Sequence, residues 1–368
     1  MQRISTKNLY PGLVVGKDIL NADGDVLLRW GIVLTDKYIK RLIELNIYSV
    51  YVENPYLEDI VIPEPINERI RVKAIKILKD NFLKIRVNKL LDVEAFSVIA
   101  NAIVDDVCAS RNLLIHLTDI RAYDDYTFGH SVNVAILAAF AGIGVGYEKT
   151  KLRELALGGL LHDVGKMFIP REILNKPAKL TEDEMTVMKG HAFLGFELLR
   201  KNNPEISLLV AHMAFQHHER PNGSGYPRGL QGEEIHEYAN IIAIADVYDA
   251  LTSDRPYRKG ILPNEAYEVL LELTRTQVDI DLLKIFFKYI AIYPIGSVVQ
   301  LNTGEVGVVI NVHPQSTLRP KVRIVLDNSG NAVQKVYEID LEFRLTQFII
   351  KVFKEEDRIT FPPNVHDI

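Results

Sequence analysis

The sequence has little of what would mark a secreted or membrane-spanning protein. Its 368 residues include one cysteine, Cys108, so no disulfide framework can form within the chain. The opening residues lack the apolar core of a signal peptide. No apolar run approaches the roughly 20 residues needed to cross a bilayer. These absences predict a cytoplasmic protein without a membrane span, which would receive any membrane signal from a separate protein.

Basic charge is also scarce. The formal net charge is -5 at pH 7, which offers no broad positive surface for duplex nucleic acid or an anionic membrane. A phosphate-bearing partner would therefore have to be held by a local site. With 48% hydrophobic residues, a chain of this length can form two or three domains with sizeable cores.

Changes of pattern divide the chain into four segments. Residues 1–62 alternate short β-rich runs with turns around one helix, which predicts a small α+β module. Residues 63–122 are predicted to be a helical linker, whose helices over 67–122 could connect domains or form a homodimer. Residues 123–290 show helix after helix and predict an all-α core. Residues 291–368 alternate strands and turns, which predicts a small β barrel or meander with a tail. The predicted fold class is mainly α.

One short segment concentrates metal-binding and charged side chains. In Leu161-His162-Asp163-Val164-Gly165-Lys166, the positions of His162, Asp163 and Lys166 allow these side chains to share one face near a helix end. Two of them could be metal ligands, and the third could donate a proton or charge. Alone, an adjacent His-Asp pair is more often a solvated helix end.

A second segment, 217–227, reads HHERPNGSGYP. Adjacent residues on a continuing helix point about 100° apart, which would keep His217 and His218 from reaching one cluster. Pro221 and Gly223 follow at once, so we expect the helix to end there. A lone His-His pair is usually a surface feature, but this one ends an apolar helix.

Three further candidates stand singly: His130, His191 and Asp246. A single histidine on an apolar helix is usually a satisfied core residue, and His191 belongs to a helix that starts with the capping box Thr181-Glu182-Asp183-Glu184. Asp246 lies inside an otherwise apolar helix, where an unpaired carboxylate is costly. A bound cation is one reason to keep a carboxylate there.

Together the candidates are five histidines and two aspartates: His130, His162, Asp163, His191, His217, His218 and Asp246. A nitrogen and oxygen set without thiolate favours iron, manganese or a similar divalent ion over a structural zinc site. Seven ligands exceed the needs of one tetrahedral ion, and Asp163 could bridge two ions roughly 3.5 to 4 Å apart. The set predicts a two-metal phosphate-cleaving site, with Lys166 steadying the developing charge.

The stretch 123–290 resembles the HD-GYP phosphodiesterases, a branch of the HD phosphohydrolase superfamily. The motifs that carry the resemblance are long and in order: Tyr126-Thr127 with His130-Ser131, residues 161–166, Ile169-Pro170, residues 174–180, residues 217–227 and residues 245–258. The resemblance implies an all-helical HD-type core. It also implies hydrolysis of the bacterial second messenger cyclic di-GMP to pGpG by hydroxide bound to a two-metal centre. Many members of the family continue to GMP, and the sequence leaves open which product is the last one here.

Site roles follow from the resemblance by position. It implies that the seven residues above bind the metals, most readily Fe or alternatively Mn, and that Lys166 contacts the scissile phosphate. Tyr226, in Gly225-Tyr226-Pro227, would help to hold the dinucleotide, and this loop could also contact signalling proteins. Arg255 and Arg258 would meet phosphates or guanine, since guanidinium groups bind phosphate bidentately. Their alternative reading is a solvated surface pair.

The chain departs from the family pattern at a few positions. Asn222 stands where Asp is common and should affect hydrogen bonding in the loop rather than the chemistry. Ala178 stands where Gly is common. Some members hold a third metal with a carboxylate four residues before the first histidine ligand. This chain has Tyr126 at that position, and a tyrosine there favours two metals.

Two other functions remain open from the sequence. A catalytically silent receptor could bind cyclic di-GMP and signal through partners, although the intact ligand set and Lys166 favour an enzyme. A hydrolase of another nucleotide, such as the mixed cyclic GMP-AMP, would use the same metal chemistry, because that chemistry does not distinguish the bases.

Overall fold

The protein is described from a computed structural model. The described residues are 1–21, 24–45, 47, 49–62, 66–88, 91–110, 114–115, 126–253, 259–274, 276–354 and 357. The chain divides into two compact units, one made of Met1–Glu64, Asn112–Asp124 and Ile290–Ile368, the other of Pro65–Arg111 and Asp125–Tyr289. Whether each of the four predicted segments is a separate domain stays a prediction.

The opening part of the first unit is a small α+β arrangement. Its elements are β1 (Gln2–Ser5), β2 (Ile19–Leu20), β3 (Val26–Leu28), α1 (Asp36–Glu44) and β4 (Ser49–Val52). β1 pairs with β4 and β2 with β3, both antiparallel. Thr35 accepts a hydrogen bond from the Tyr38 backbone N–H and so caps α1. The buried Leu42 of α1 joins the core that includes Val15 and Val50.

The closing part of the first unit is a five-stranded antiparallel sheet. Its strands are β5 (Val298–Leu301), β6 (Val306–Asn311), β7 (Lys321–Leu326), β8 (Ala332–Asp340) and β9 (Ile349–Val352), in the order β8-β7-β6-β5-β9. Consecutive strands β5 to β8 are neighbours, as in a meander. Within the described residues β8 and β9 are unpaired edges, so the sheet is open and the barrel alternative was wrong.

Contacts from residues 56–62 explain why both ends of the chain belong to one unit. Leu57 and Ile62 pack into the two hydrophobic clusters of the five-stranded sheet. Arg323 on β7 donates two hydrogen bonds to the Asp59 carboxylate, at 2.6 and 2.7 Å, and a third to the Tyr56 carbonyl at 2.8 Å.

The second unit is helical, as the sequence predicts. Its helices are α2 (Glu68–Asn88), α3 (Val93–Ala109), α4 (Tyr126–Val145), α5 (Lys149–Leu161), α6 (Arg171–Leu174), α7 (Glu182–Asn202), α8 (Leu208–Gln216), α9 (Glu237–Thr252), α10 (Pro263–Leu273) and α11 (Ile280–Phe286). A 3₁₀ helix, Val164–Phe168, follows α5. The capping box predicted for α7 is present between Thr181 and Glu184. α4 packs against α5 and α9, and α7 packs against α8 and the 3₁₀ helix.

α4 is more apolar than the sequence analysis allowed. Among the described residues, its stretch Phe128–Val145 alone is long and apolar enough to cross a membrane by length and composition. The expectation that no apolar run approaches that length was therefore wrong. In the structure, 72% of this stretch is buried. A helix that is hydrophobic all round is typical of the centre of a helical core, and burial between neighbouring helices explains the composition of α4.

Candidate metal centre

The seven predicted metal ligands lie together in the helical unit. His130 lies on α4, and His162 and Asp163 follow directly after α5. His191 lies on α7, His217 and His218 follow α8, and Asp246 lies on α9. α8 ends at Gln216, as the following proline and glycines predict. Five helices therefore each bring one or two side chains to the same place.

Asp163 is shared by two groups of side chains whose ligand atoms lie within 4.8 Å of one another. The first group is Asp163 with His191, His217 and His218, and the second is Asp163 with His130 and His162. Asp246 borders the second group, because its Oδ1 lies 3.2 Å from Nε2 of His130.

The Asp163 carboxylate turns one oxygen toward each group. Oδ1 lies 3.4 Å from Nε2 of His191 and 3.7 Å from Nε2 of His217. Oδ2 lies 3.2 Å from Nε2 of His162 and 3.8 Å from Nε2 of His130. A carboxylate with one oxygen for each of two clusters has the orientation of a bridging ligand.

Backbone carbonyls set the tautomer of three rings. Nδ1 lies within hydrogen-bond distance of a carbonyl about one turn earlier: His162 with Gly159 (2.8 Å), His191 with Met188 (2.7 Å) and His217 with Ala214 (3.0 Å). Because a carbonyl can only accept, Nδ1 carries the proton and Nε2 keeps its lone pair. All three lone pairs then face Asp163. The fourth ring differs, since Nδ1 of His130 lies 2.7 Å from Oδ2 of Asp249.

These atoms fit a divalent cation. Within the described part of the chain, the buried His162 Nε2 and Asp163 Oδ1 make no hydrogen bond. The Nε2 atoms of His191 and His217 lie 3.3 Å apart, with a lone pair on each. Leaving a buried polar atom unsatisfied costs about 1–3 kcal/mol, and a cation shared by facing lone pairs removes that cost. The chemistry of the residues therefore fits divalent metals, as the sequence predicts.

Electrostatics keep most of the cluster ready to bind metal at neutral pH. Burial lowers the pKa of His217 and His218, and lowers that of His191 to about 4. Burial would raise the pKa of the Asp163 carboxyl, but Lys166 and His162 hold it well below its usual range. Burial would lower the pKa of His130, but hydrogen bonds to Asp246 and Asp249 raise it to about 10.

The raised pKa of His130 leads to a prediction about pH. Below that pKa, a metal ion must displace a proton from His130, so affinity should increase as pH rises. Between pH 6 and 8 we expect the apparent affinity for Mn²⁺ to rise about tenfold per pH unit, with about one proton released per chain. Titration calorimetry in two buffers of different ionisation enthalpy measures both quantities. Constant affinity for Mn²⁺ across this range, with no proton released, would show that metal binding does not displace a proton from His130.

Lys166 contacts the cluster from the 3₁₀ helix. Its Nζ lies 2.5 Å from Oδ2 of Asp163, and the side chain is 25% exposed. The predicted proximity of His162, Asp163 and Lys166 is therefore present. The ammonium group lies beside the carboxylate oxygen that faces His130 and His162.

Gly165 permits a close backbone contact that the sequence analysis did not identify. A Cβ at this position would lie 1.9 Å from the carbonyl oxygen of His191 and 2.6 Å from the backbone nitrogen of Gly195. Only glycine lets the 3₁₀ helix approach α7 so closely. This contact holds Asp163 beside His191. The glycine within the His-Asp-Val-Gly-Lys run was the available signal.

The loop of residues 219–230 places Tyr226 beside the cluster. The Tyr226 ring stacks on His218, with ring centroids 4.6 Å apart, and Nζ of Lys189 lies 5.3 Å from the Tyr226 centroid. An aromatic face and a cation therefore flank the His191, His217 and His218 group. Arg255 and Arg258, the other predicted substrate contacts, lie outside the described residues.

Buried Glu219 organises this loop, and the sequence analysis gave it no role. Its carboxylate oxygens accept hydrogen bonds from the backbone N–H groups of Arg228 (2.8 Å) and Leu230 (2.9 Å). Asn222 accepts hydrogen bonds from the backbone N–H and hydroxyl of Ser224, at 3.0 and 2.7 Å. An Asp oxygen could accept the same two hydrogen bonds, so the predicted effect of Asn222 on the loop stays a prediction.

Arg220 is a second residue that sequence reasoning missed. Its guanidinium donates to the carbonyl oxygens of Glu219 (3.2 Å) and His217 (3.4 Å). Across the described residues no carboxylate forms an ion pair with it, and burial lowers its pKa. A cation therefore directly follows the His217-His218 pair.

Comparison with known proteins agrees with this architecture. Residues 120–282 match the HD domain, and residues 298–361 match a KOW domain associated with the HD domain. A cyclic di-GMP phosphodiesterase of Pseudomonas aeruginosa is 40% identical over 229 residues, which cover 61% of this chain and 55% of that protein. The 3'3'-cGAMP-specific phosphodiesterase 1 of Vibrio cholerae is 38% identical over 167 residues, covering 45% of this chain and 38% of that protein.

A solved structure of an HDG"Y"P protein from Bdellovibrio bacteriovorus aligns with 77% of this chain and 97% of its own, with a TM-score of 0.49 and 17% identity. The chain spans about half the length, or less, of the two curated relatives described above. Residues 120–282, which include all seven candidate metal ligands, are therefore similar in sequence to the HD domain.

Proposed function

We propose that this protein is a cytoplasmic, metal-dependent phosphodiesterase that hydrolyses cyclic di-GMP to pGpG and further to GMP. The observation that carries the proposal is the Asp163 carboxylate, which turns one oxygen toward each of two histidine groups. The names of the curated relatives support the substrate class, since they include phosphodiesterases of cyclic di-GMP and of cGAMP.

The cofactors we propose are two divalent ions held by the seven residues, Fe or alternatively Mn. Imidazole and carboxylate ligands suit both. Bound there, the ions would activate a water molecule and neutralise charge on the phosphate.

The chain's own side chains hold and orient the dinucleotide in this proposal. Lys166, partly exposed beside Asp163, can reach a phosphate oxygen and stabilise negative charge that develops there. Tyr226, whose ring stacks on His218, can help to hold the dinucleotide. The Arg220 guanidinium, which donates to two backbone carbonyls, adds a positive charge nearby. We propose Arg255 and Arg258 as further contacts to phosphate or guanine.

One experiment separates the candidate functions. Anaerobically purified protein of known metal content is incubated with cyclic di-GMP and with 3'3'-cGAMP, and the products are identified by chromatography. We expect linear pGpG, then GMP, in proportion to the metal content. Tight binding without hydrolysis at full occupancy would support a silent receptor. Turnover of 3'3'-cGAMP alone would support the second candidate substrate, which one of the relatives favours.

Replacing Lys166 separates metal binding from substrate chemistry. In Lys166→Met we expect unchanged metal content and a kcat reduced about 100-fold or more, because one preorganised charge at the phosphate is lost. Lys288→Met removes an exposed lysine of the helical unit that lies outside the motifs of the resemblance, and it should retain full activity. Metal content and initial rates of hydrolysis are measured for both variants and compared with those of the wild type. A wild-type kcat in Lys166→Met would remove Lys166 from the mechanism.

Two partner proposals concern surfaces. The sequence suggests a homodimer through residues 67–122. In the structure, α2 and α3 also pack against the helical core. Light scattering measures the mass of the protein in solution and so tests the dimer. The loop around Tyr226 is our proposed contact for signalling proteins.

A further inference from the structure

Asp249 is a buried carboxylate beside the cluster that does not belong to the proposed ligand set. It lies on α9 one turn after Asp246, and 1% of its surface is exposed. Its Oδ2 lies 2.7 Å from Nδ1 of His130. Nε2 of the same ring faces Asp246 and Asp163. Asp249 therefore reaches His130 from the side opposite the proposed metal.

Two side chains hold the Asp249 carboxylate in this orientation. Its Oδ1 accepts hydrogen bonds from Nδ2 of Asn133 at 2.7 Å and from the hydroxyl of Ser253 at 2.9 Å. Asn133 lies on α4 close to His130, and Ser253 follows α9. Both carboxylate oxygens thus have partners, so the ring of His130 has a defined orientation.

This arrangement distinguishes His130 from three other rings of the cluster. His162, His191 and His217 each face a neutral backbone carbonyl. A carboxylate acceptor at Nδ1 fixes the ring and makes Nε2 a stronger donor to a metal. Asp246 adds another negative charge on the same side, 3.2 Å from His130. The group of His191, His217 and His218 has no carboxylate other than Asp163 in its described cluster.

We propose that Asp249 is a positioning residue that makes the two metal subsites unequal. By orienting His130 and making its Nε2 a stronger donor, Asp249 raises the affinity of the subsite of His130, His162 and Asp246 for a divalent ion, and leaves that of the subsite of His191, His217 and His218 unchanged. The inference rests on the two-metal site of the proposed function, but it concerns metal affinity and not the substrate.

The test is Mn²⁺ binding by the Asp249→Asn variant in the absence of substrate. Removing the charge should weaken one of the two Mn²⁺ equivalents about 10- to 100-fold and leave the other unchanged. Titration calorimetry resolves the two equivalents. Electron paramagnetic resonance adds an independent readout, because at limiting Mn²⁺ the variant should fill the two subsites in a different order and give a different single-ion spectrum.

Two further variants separate positioning from general stability. Ile242→Val trims the fully buried side chain of an α9 residue and should lower the midpoint of urea unfolding without changing either Mn²⁺ affinity. Ser253→Ala removes one hydrogen bond to Asp249 and should weaken the same equivalent by about two- to tenfold. This milder variant carries the test if Asp249→Asn does not fold.

The outcomes are distinct from those of the proposed function. The inference would be overturned if both Mn²⁺ equivalents were weakened equally, or if Asp249→Asn and Ser253→Ala kept wild-type affinities. It would also be overturned if the wild type bound fewer than two ions. A wild type that binds two Mn²⁺ with unequal affinity but hydrolyses no cyclic dinucleotide would reject the proposed function and leave the role of Asp249 intact.

Discussion

Asp163→Ala should lose both metal ions and all measurable hydrolysis. The two clusters share only this carboxylate, with one oxygen 3.4 Å from His191 and the other 3.2 Å from His162. Removing it would take a ligand from each of the two proposed ions at once and would leave the facing imidazole lone pairs without a bridging charge. We expect a fall in kcat of about 1,000-fold or more, the scale on which catalysis by preorganised charge is lost.

Metal analysis and initial rates, measured on the same preparations, check this result. Asp281→Ala is the control, because Asp281 is an exposed carboxylate on α11 that pairs with Lys284. Circular dichroism establishes that both variants keep their helices. A fully loaded and active Asp163→Ala protein would disprove the bridged two-metal site, while loss of a single ion would show that Asp163 serves one subsite.

Gly165→Ala should be the most destabilising single-methyl substitution near the site. The added Cβ would lie 1.9 Å from the carbonyl oxygen of His191, and both neighbours at this contact are backbone atoms. Either the 3₁₀ helix or α7 must shift. We expect the free energy of unfolding to fall by about 1–3 kcal/mol or more, as for overpacked cores. Metal affinity should also fall, because the shift separates Asp163 from His191.

Gly190→Ala is a closely matched control for this prediction. Gly190 precedes His191 on α7, and a Cβ there would meet no atom within 4 Å. In a helix interior, alanine is more stable than glycine by about 0.5–1 kcal/mol, so this variant should gain stability. Urea unfolding of both metal-free variants measures the difference. Equal stability of Gly165→Ala and the wild type would show that the contact with α7 is not as close as described.

Much of the site could be predicted because its signals are local in the sequence. The His-Asp and His-His pairs, the proline and glycines that end α8, and the capping box of α7 each depend on a few neighbouring residues. Asp246 could be identified because a carboxylate inside an apolar helix needs a partner. These local features also carry the resemblance to the HD-GYP proteins.

Other features depend on contacts between distant elements, which the sequence pattern does not reveal. Asp249 meets His130 only because α4 and α9 cross at that point, 119 residues apart in the chain. Glu219 accepts hydrogen bonds from backbone N–H groups, which every residue type except proline could supply. The open sheet depends on β9 returning to pair with β5, as between Val299 and Val352. Local sequence motifs therefore predict the metal ligands better than they predict residues such as Asp249, which contact those ligands from distant parts of the chain.

The most direct test of the account is a stepwise titration of the metal-free protein with Mn²⁺ under anaerobic conditions, followed by both bound metal and cyclic di-GMP hydrolysis. The bridged site predicts two equivalents per chain, with pGpG formation that stays low at the first and rises as the second equivalent fills. Full activity at one equivalent, or no hydrolysis when two are bound, would contradict it.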